Sequence, residues 1–150
     1  KRGKLQQFDT PKQIYYRPKS EYICMMFGKA NIIDVTEENA DWLRRLSINE
    51  RLGNRICVRP ENLYIVPTNN SEARAVVTDV TFYGPYNEIH VKPLYKDRQA
   101  DRELIVSATH LYGLDRGQMV GLQTVEEGAY SQLKSSARAV GLALTARDKA

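Results

Sequence analysis

The 150-residue sequence predicts a mainly β fold: a barrel of short antiparallel strands, preceded by two short helices and followed by a C-terminal helix. Two observations carry this prediction. Short runs rich in Ile and Val are separated by Gly, Pro and Asn, which is typical of all-β proteins. The first 28 residues and a segment near the C-terminus instead carry apolar side chains at helical spacing.

Two helices are predicted in the N-terminal segment. Thr10 suits the start of the first helix, because its side chain can accept a hydrogen bond from a free amide there, and Pro11 suits the first helical position. Ser20 is expected to begin the second helix, and Gly28 to end it. Residues 3–8 are predicted to form a short strand before them.

The predicted strands are short and joined by turns. Residues 73–82 form the longest candidate, and a slip in its alternation near Val77 predicts a β-bulge. A turn over residues 83–87 leads into a clean alternation that points Ile89 and Val91 inward. The other candidate strands are residues 30–35, 55–58, 63–66, 88–92, 104–106 and 119–125, and residues 96–102 are predicted to be a charged loop.

A C-terminal amphipathic helix is predicted over residues 130–145. Apolar side chains recur there at steps of three and four, which places them on one face of a helix. Packing on its own barrel is favoured for so short a helix, and a contact with a second copy of the chain is the alternative. The residues of this apolar stripe are Tyr130, Leu133, Ala137, Val140 and Leu144.

The distribution of charge argues against a nucleic-acid partner. The chain carries 22 Lys and Arg against 18 Asp and Glu, a net charge of +4. Residues 1–60 carry 12 basic and 7 acidic side chains, residues 61–130 carry 6 and 10, and residues 131–150 carry 4 and 1. Binding of single strands needs a positive groove, whereas the predicted barrel is acidic. No nucleic acid is therefore expected as a partner.

No catalytic, cofactor or metal site is expected in these residues. Neither of the glycine-rich phosphate loops, GxxxxGK[ST] and GxGxxG, occurs. His90 and His110 are interpreted as solvated side chains on strands. Cys24 and Cys57 lie 33 positions apart without a metal-binding motif, so we expect two reduced, mostly buried thiols.

The N-terminal segment carries a dense pattern of residues: GKLQQFDTP over residues 3–11, then Ile14-Tyr15, Pro18, Tyr22-Ile23, Phe27-Gly28 and Asn31. This pattern closely resembles the end of the nucleotide-binding domain in ATPase subunits of bacterial ABC importers, where a strand is followed by two helices. The resemblance implies that residues 1–28 are the C-terminal tail of such a domain.

The rest of the sequence resembles the C-terminal regulatory domain of the same subunits, an OB-like barrel called the TOBE domain. The matching stretches are VRPENL over residues 58–63, AVVTDVTFYG over residues 75–84 and LDRGQMV over residues 114–120. The resemblance implies an OB-like TOBE barrel over residues 29–128, and a C-terminal helix and tail over residues 129–150.

The resemblance also implies a function. The parent subunit would bind ATP and Mg, form a homodimer and drive transmembrane permease subunits fed by a substrate-binding protein, in the cytoplasm at the inner face of the plasma membrane. The present residues would supply regulatory and dimer contacts without catalysis. Arg59 and Glu61, which flank Pro60, are candidates for a contact with the other protomer or domain. A surface ion pair worth ~0–1 kcal/mol is the alternative for them.

A second class of function stays open at this point. A stand-alone OB-like module could bind a nucleic acid or an oxyanion, since related TOBE modules bind molybdate.

Overall fold

The computed structural model of the chain describes residues 2–46, 48, 51–109 and 113–124. Three helices lie in this part of the chain: α1 (Pro11–Tyr16), α2 (Glu21–Met26) and α3 (Ala40–Arg45). The strands are β1 (Asn31–Asp34), β2 (Arg55–Val58), β3 (Leu63–Val66), β4 (Arg74–Phe82), β5 (Asn87–Tyr95), β6 (Arg98–Gln99), β7 (Leu104–Ala108) and β8 (Met119–Thr124).

Two of the predictions from the sequence concern residues outside these ranges. His110 is one, and the predicted C-terminal helix, with Tyr130, Leu133, Ala137, Val140 and Leu144, is the other.

The strands form two antiparallel sheets. β1 pairs with β2, and the larger sheet has the order β3-β8-β4-β5-β6, with β7 also paired to β5. The side chain of Asn31 ties the small sheet to the large one: its Nδ2 donates to the Ile105 carbonyl at 2.8 Å, and its Oδ1 accepts from the Ile105 amide at 2.7 Å. The mainly β fold of short antiparallel strands is thus confirmed.

Both predicted N-terminal helices are present with their capping residues. Thr10 Oγ1 accepts a hydrogen bond from the Gln13 amide, and Ser20 Oγ accepts one from the Ile23 amide, each at 3.3 Å. The strand predicted over residues 3–8 is wrong, because none of the described strands pairs with this segment. A strand is stable only when its backbone groups find partners.

The predicted bulge and the predicted inward face are both confirmed. Val77 lies opposite Val91, but Asp79 lies opposite His90, so β4 carries one extra residue at this point. Ile89 and Val91 are fully buried in the core. The core residues come from both sheets and from α3: Ile33, Trp42, Leu43, Leu46, Ile56, Val58, Leu63, Ile65, Ala73, Ala75, Val77, Ile89, Val91, Leu104, Val106, Val120 and Leu122.

Helix α3 supplies the largest side chain of this core, although no helix was predicted there. Trp42 is buried, its Nε1 donates to the Arg74 carbonyl at 2.8 Å, and its ring meets that of Tyr95 edge-on with centroids 5.6 Å apart. A six-residue helix is too short to show a convincing apolar period. Helix α3 could therefore not be predicted from the sequence pattern.

The charged loop predicted over residues 96–102 is wrong in part. β5 continues to Tyr95, two residues past Pro93, and β6 returns along it with Gln99 opposite Leu94. The Pro93 carbonyl accepts from the Ala100 amide at 2.8 Å, which extends this pairing. Proline lacks an amide and usually ends a strand, so the sequence predicted an earlier stop.

Candidate functional site

Arg59 is the centre of a contact between the N-terminal helices and the barrel. It lies between β2 and the short 3₁₀ turn Pro60–Asn62, and only 3% of it is exposed. Its Nε and Nη2 donate to the Tyr15 carbonyl at 3.2 and 3.1 Å, and its Nη1 donates to the carbonyls of Gly28 and Lys29, both at 3.2 Å. A buried guanidinium is tolerated only when its donors are satisfied in this way.

These acceptors are backbone groups that need a partner. Tyr15 belongs to the last turn of α1, where the backbone carbonyls receive no hydrogen bond from an amide of the same helix. A positive charge at this end of a helix is also favourable for the helix dipole. Arg59 therefore caps α1 from the barrel side and at the same time holds the chain just after α2.

Tyr15 completes the contact with its ring and its hydroxyl. The Arg59 Cζ lies 4.1 Å from the centre of the Tyr15 ring, a cation–π arrangement. The Tyr15 hydroxyl donates to Glu61 Oε1. Burial, together with the hydrogen bond to Glu61, raises the pKa of Tyr15 to about 12. The tyrosine therefore remains a protonated donor at neutral pH.

Two further links join α2 to the small sheet. Arg55 of β2 forms ion pairs with Glu21 of α2 and with Asp34 of β1. Cys24 of α2 and Cys57 of β2 are joined by a disulfide, with their Cα atoms 7.0 Å apart. The expectation of two reduced thiols is therefore wrong for this structure. Sequence spacing alone does not show that a helix and a strand 33 positions apart will meet.

We call this set of links the N-terminal joint. Its residues are Tyr15, Glu21, Cys24, Gly28 and Lys29 on the N-terminal side, and Arg55, Cys57, Arg59 and Glu61 on the barrel side.

A chain of charged side chains extends the contact beyond Lys29. Lys29 Nζ lies 2.7 Å from Glu88 Oε2, and the Glu88 side chain is 8% exposed. His90 lies between two carboxylates, with Nε2 3.0 Å from Glu88 and Nδ1 2.9 Å from Glu103. The interpretation of His90 as a solvated side chain is therefore wrong: it is partly buried and paired.

The pKa values in this chain follow from the pairing. The hydrogen bond from Lys29, aided by that of His90, lowers the pKa of the Glu88 carboxyl. Burial lowers the pKa of His90, but the hydrogen bonds to Glu88 and Glu103 outweigh it, so that the pKa is raised. Both carboxylates and the protonated imidazole are thus stabilised together.

Both residues of the predicted pair, Arg59 and Glu61, contact Tyr15. The alternative of a surface ion pair is wrong for Arg59, which is buried and bonded to backbone carbonyls. The other predicted contact residues, Tyr130, Leu133, Val140 and Leu144, lie outside the described residues. Sequence reasoning missed Tyr15 and Lys29 as the partners, because each lies at least 30 positions from Arg59.

A second feature of the N-terminal segment is a group of exposed, large apolar side chains. Leu5 and Phe8 are 80% and 87% exposed, and four large side chains on or next to α2 are about half exposed. We call this group the N-terminal apolar face; its residues are Leu5, Phe8, Tyr22, Met25, Met26 and Phe27.

A cavity of about 570 Å³ opens between β1, α2 and the segment that leads into β7. Its walls carry the carboxylates of Glu21, Asp34, Glu38, Asp101 and Glu103 and the guanidinium groups of Arg98 and Arg102. Such a lining is negative on balance and therefore disfavours an anionic ligand.

Neither a metal cluster nor a membrane span is found in the part of the chain that the structure describes. There, no three His, Cys, Asp or Glu side chains are arranged to hold a metal ion. None of the helices described combines the length and the apolar content needed to cross a bilayer.

The short antiparallel strands, the bulged β4 and the helices fastened to one side define an OB-like barrel domain with an N-terminal helical extension. Residues 56–130, half of the chain, match the TOBE domain family. The chain belongs to this family.

Known proteins similar to this chain are ATP-binding subunits of importers. The spermidine/putrescine import ATP-binding protein PotA of Clostridium novyi (strain NT) is 29% identical over 146 residues, which are 90% of this chain and 39% of the relative. PotA of Clostridioides difficile (strain 630) is 27% identical over 101 residues, 60% of this chain and 28% of the relative.

A relative with another solute is similar to the same degree. The Fe(3+) ions import ATP-binding protein FbpC of Photorhabdus laumondii is 27% identical over 99 residues, again 60% of this chain and 28% of the relative. The chain thus spans about two fifths of the length of the Clostridium novyi protein and less of the other two.

Proposed function

We propose that this chain is the C-terminal regulatory and dimerisation part of the ATP-binding subunit of a bacterial ABC-type importer. Residues 1–28 are then the end of the nucleotide-binding domain, residues 29–128 the TOBE barrel, and residues 129–150 a C-terminal helix and tail. The observation that carries the proposal is the buried Arg59, which fastens the N-terminal helices to the barrel through three backbone carbonyls.

The geometry of the joint suits the transfer of movement between two domains. Arg59 holds the end of α1 and the chain after α2 at once, so a displacement of either helix pulls on the strand β2. Its donors are shared among backbone carbonyls, which are fixed in position more firmly than side chains are. ATP-driven motion of the nucleotide-binding domain would therefore reach the barrel through this residue.

The N-terminal apolar face supports the same proposal. Leu5 and Phe8, which precede α1, are 80% and 87% exposed. A group of exposed large apolar side chains in one segment often marks a surface that another domain covers. The body of the nucleotide-binding domain would cover this face in the parent subunit.

The parent subunit would bind ATP and Mg, act as a homodimer, and work with transmembrane permease subunits and a substrate-binding protein. It would lie in the cytoplasm against the inner face of the plasma membrane. The 150 residues themselves are proposed to lack ATPase activity and to need no cofactor. We assign no solute, because relatives named for spermidine/putrescine and for Fe(3+) import are similar to this chain to the same degree.

The alternative function, a stand-alone module that binds an oxyanion, is less well supported. The walls of the 570 Å³ cavity carry more carboxylates than guanidinium groups, and an anion would be repelled there. A thermal-shift assay with molybdate, sulfate and phosphate tests this point. A ligand at 100 times its Kd stabilises a fold by about 2.7 kcal/mol, so a clear rise in Tm with any of them would favour the alternative.

The reading frame upstream of Lys1 tests the proposal itself. We expect it to encode a Walker A loop and an ABC signature within a few hundred codons. Calorimetry with ATP on the 150-residue chain provides the matching control, and we expect no binding tighter than the millimolar range, about −4 kcal/mol. A frame that encodes an unrelated domain, or tight ATP binding by these residues, would overturn the proposal.

A further inference from the structure

We propose that Cys24 and Cys57 form a thiol–disulfide switch across the N-terminal joint, which fastens α2 to β2 when oxidised and releases α2 when reduced. The inference rests on the proposed function, which puts the chain in a cytoplasm. Disulfides there are usually transient and often redox-sensing, whereas in oxidising compartments they are permanent supports.

The disulfide attaches one element, helix α2, to strand β2. Helix α2 has six residues, and only two of them, Ile23 and Cys24, are buried. An isolated helix of this length is not stable in water, so α2 depends on its attachment to the barrel. The disulfide is the covalent part of that attachment, and the ion pair between Glu21 and Arg55 is partly exposed and contributes little.

The two cysteines differ in burial. Cys24 of α2 is fully buried, whereas Cys57 of β2 is partly buried. In the proposed exchange, an external thiolate therefore attacks the sulfur of Cys57.

A small dithiol can act as the reductant and reduce the disulfide in two thiol–disulfide exchange steps. One thiolate of the dithiol attacks Cys57 Sγ, the Cys24–Cys57 bond breaks, and its electron pair leaves with Cys24 Sγ, which takes up a proton. The second thiol of the reagent, as a thiolate, attacks its own sulfur in the mixed disulfide and releases Cys57 as a thiolate. The protein gains two electrons and the reagent becomes a cyclic disulfide; a small-molecule disulfide reverses the process.

Reduction acts on α2 more than on α1. The end of α1 is held by Arg59 and Tyr15, and the chain after α2 is held by Arg59 at Gly28, so both remain fastened without the disulfide. The large side chains that α2 exposes, Tyr22, Met25 and Met26, belong to the N-terminal apolar face. The switch would thus change the surface that the proposed nucleotide-binding domain covers.

Hydrogen exchange of the 150-residue chain with and without dithiothreitol tests the switch. We expect no titratable thiol in the oxidised chain and two in the reduced chain. The amides of residues 21–26 should exchange about tenfold faster after reduction, while those of β4 and β5 keep their rates. Oxidised glutathione should restore the slow exchange.

The double variant Cys24→Ser, Cys57→Ser serves as the control, and Cys24→Ala, Cys57→Ala checks for an effect of the buried hydroxyl. In both double variants, the amides of residues 21–26 should exchange as fast as in the reduced chain, and dithiothreitol should not change these rates. Equal exchange of oxidised and reduced chain, or thiols that oxidised glutathione cannot pair, would overturn the proposal. An upstream frame without a Walker A loop would instead overturn the proposed function, whatever the exchange shows.

Discussion

The guanidinium carbon of Arg59 lies 4.1 Å from the centre of the Tyr15 ring, and the same guanidinium donates to the Tyr15 carbonyl. One buried side chain of the barrel thus contacts both the ring and the backbone of a residue 44 positions earlier. The N-terminal helices are therefore fastened to the barrel through a contact whose charge and geometry both matter.

Replacing Arg59 by Met should destabilise the chain. The change removes the donors to the Tyr15, Gly28 and Lys29 carbonyls and leaves these acceptors poorly solvated, so we expect a loss of about 2–4 kcal/mol in the free energy of unfolding. Urea unfolding followed by the fluorescence of Trp42, the single tryptophan, measures it. Arg44→Met is the control: its side chain is 75% exposed, and the loss should be under about 0.5 kcal/mol. Equal losses in both variants would contradict the role of Arg59.

The hydroxyl of Tyr15 should contribute to the stability of the fold only through its hydrogen bond to Glu61. Tyr15→Phe removes the hydrogen bond to the Glu61 carboxylate, and we expect a loss of about 1–2 kcal/mol. In a double-mutant cycle with Glu61→Gln the two losses should not add, with a coupling above about 0.5 kcal/mol. Tyr16→Phe, at the next residue, is the control. Strictly additive losses would show that the two side chains do not act together.

The pairing of His90 should make stability depend on pH. Because the pKa of His90 is raised in the folded chain, its contribution is complete below the unfolded value of about 6.5 and is lost as pH rises through the folded pKa. The carboxyls of Glu88 and Glu103 have lowered pKa values, so their contribution is present above their unfolded value of about 4.3 and lost as pH falls through the folded one.

We therefore expect the free energy of unfolding to decline as pH rises above about 6.5 and through the raised pKa of His90, and the variant His90→Gln to lose most of this decline. Urea unfolding at several pH values, with an NMR titration of the His90 ring, measures both effects. A decline of the same size in His90→Gln would assign it to other groups.

Gly121 should not tolerate a side chain. A Cβ at this position of β8 would lie 3.0 Å from Ser71 Cβ and 3.1 Å from the Pro67 carbonyl oxygen and Val66 Cγ2. We expect Gly121→Ala to cost about 1–3 kcal/mol, measured as a fall in Tm. Gly53→Asn is the control: nothing lies within 4 Å of its Cβ, and asparagine accepts the positive φ of 64°. A variant Gly121→Ala as stable as this control would contradict the close packing of β8 on the loop before β4.

Local features of the fold could be predicted from the sequence. Thr10 and Ser20 marked the starts of α1 and α2, because a capping side chain acts on amides only three residues away. The broken alternation at Val77 marked the bulge in β4 for a similar reason: the period of a strand is two residues. Signals of this kind are complete within a short stretch of chain.

Contacts between distant parts of the chain could not be predicted in the same way. Lys29 meets Glu88 across 59 positions, and Cys24 meets Cys57 across 33. Such pairs depend on how the sheets and helices pack, which no local pattern records. Arg59 was singled out beside Pro60, but its partner Tyr15 emerged only from the packing of α1 on the barrel.

Hydrogen exchange at α1 in the Arg59→Met variant tests the central claim most directly, namely that Arg59 fastens the N-terminal helices to the barrel. The amides of residues 14–17 should exchange about tenfold or more faster than in the unmodified chain and approach the rate of unprotected amides, whereas the amides of β4 and β5, although accelerated by the lower global stability, should stay protected. Unchanged exchange at residues 14–17, or a loss of protection in β4 and β5 as well, would contradict the claim.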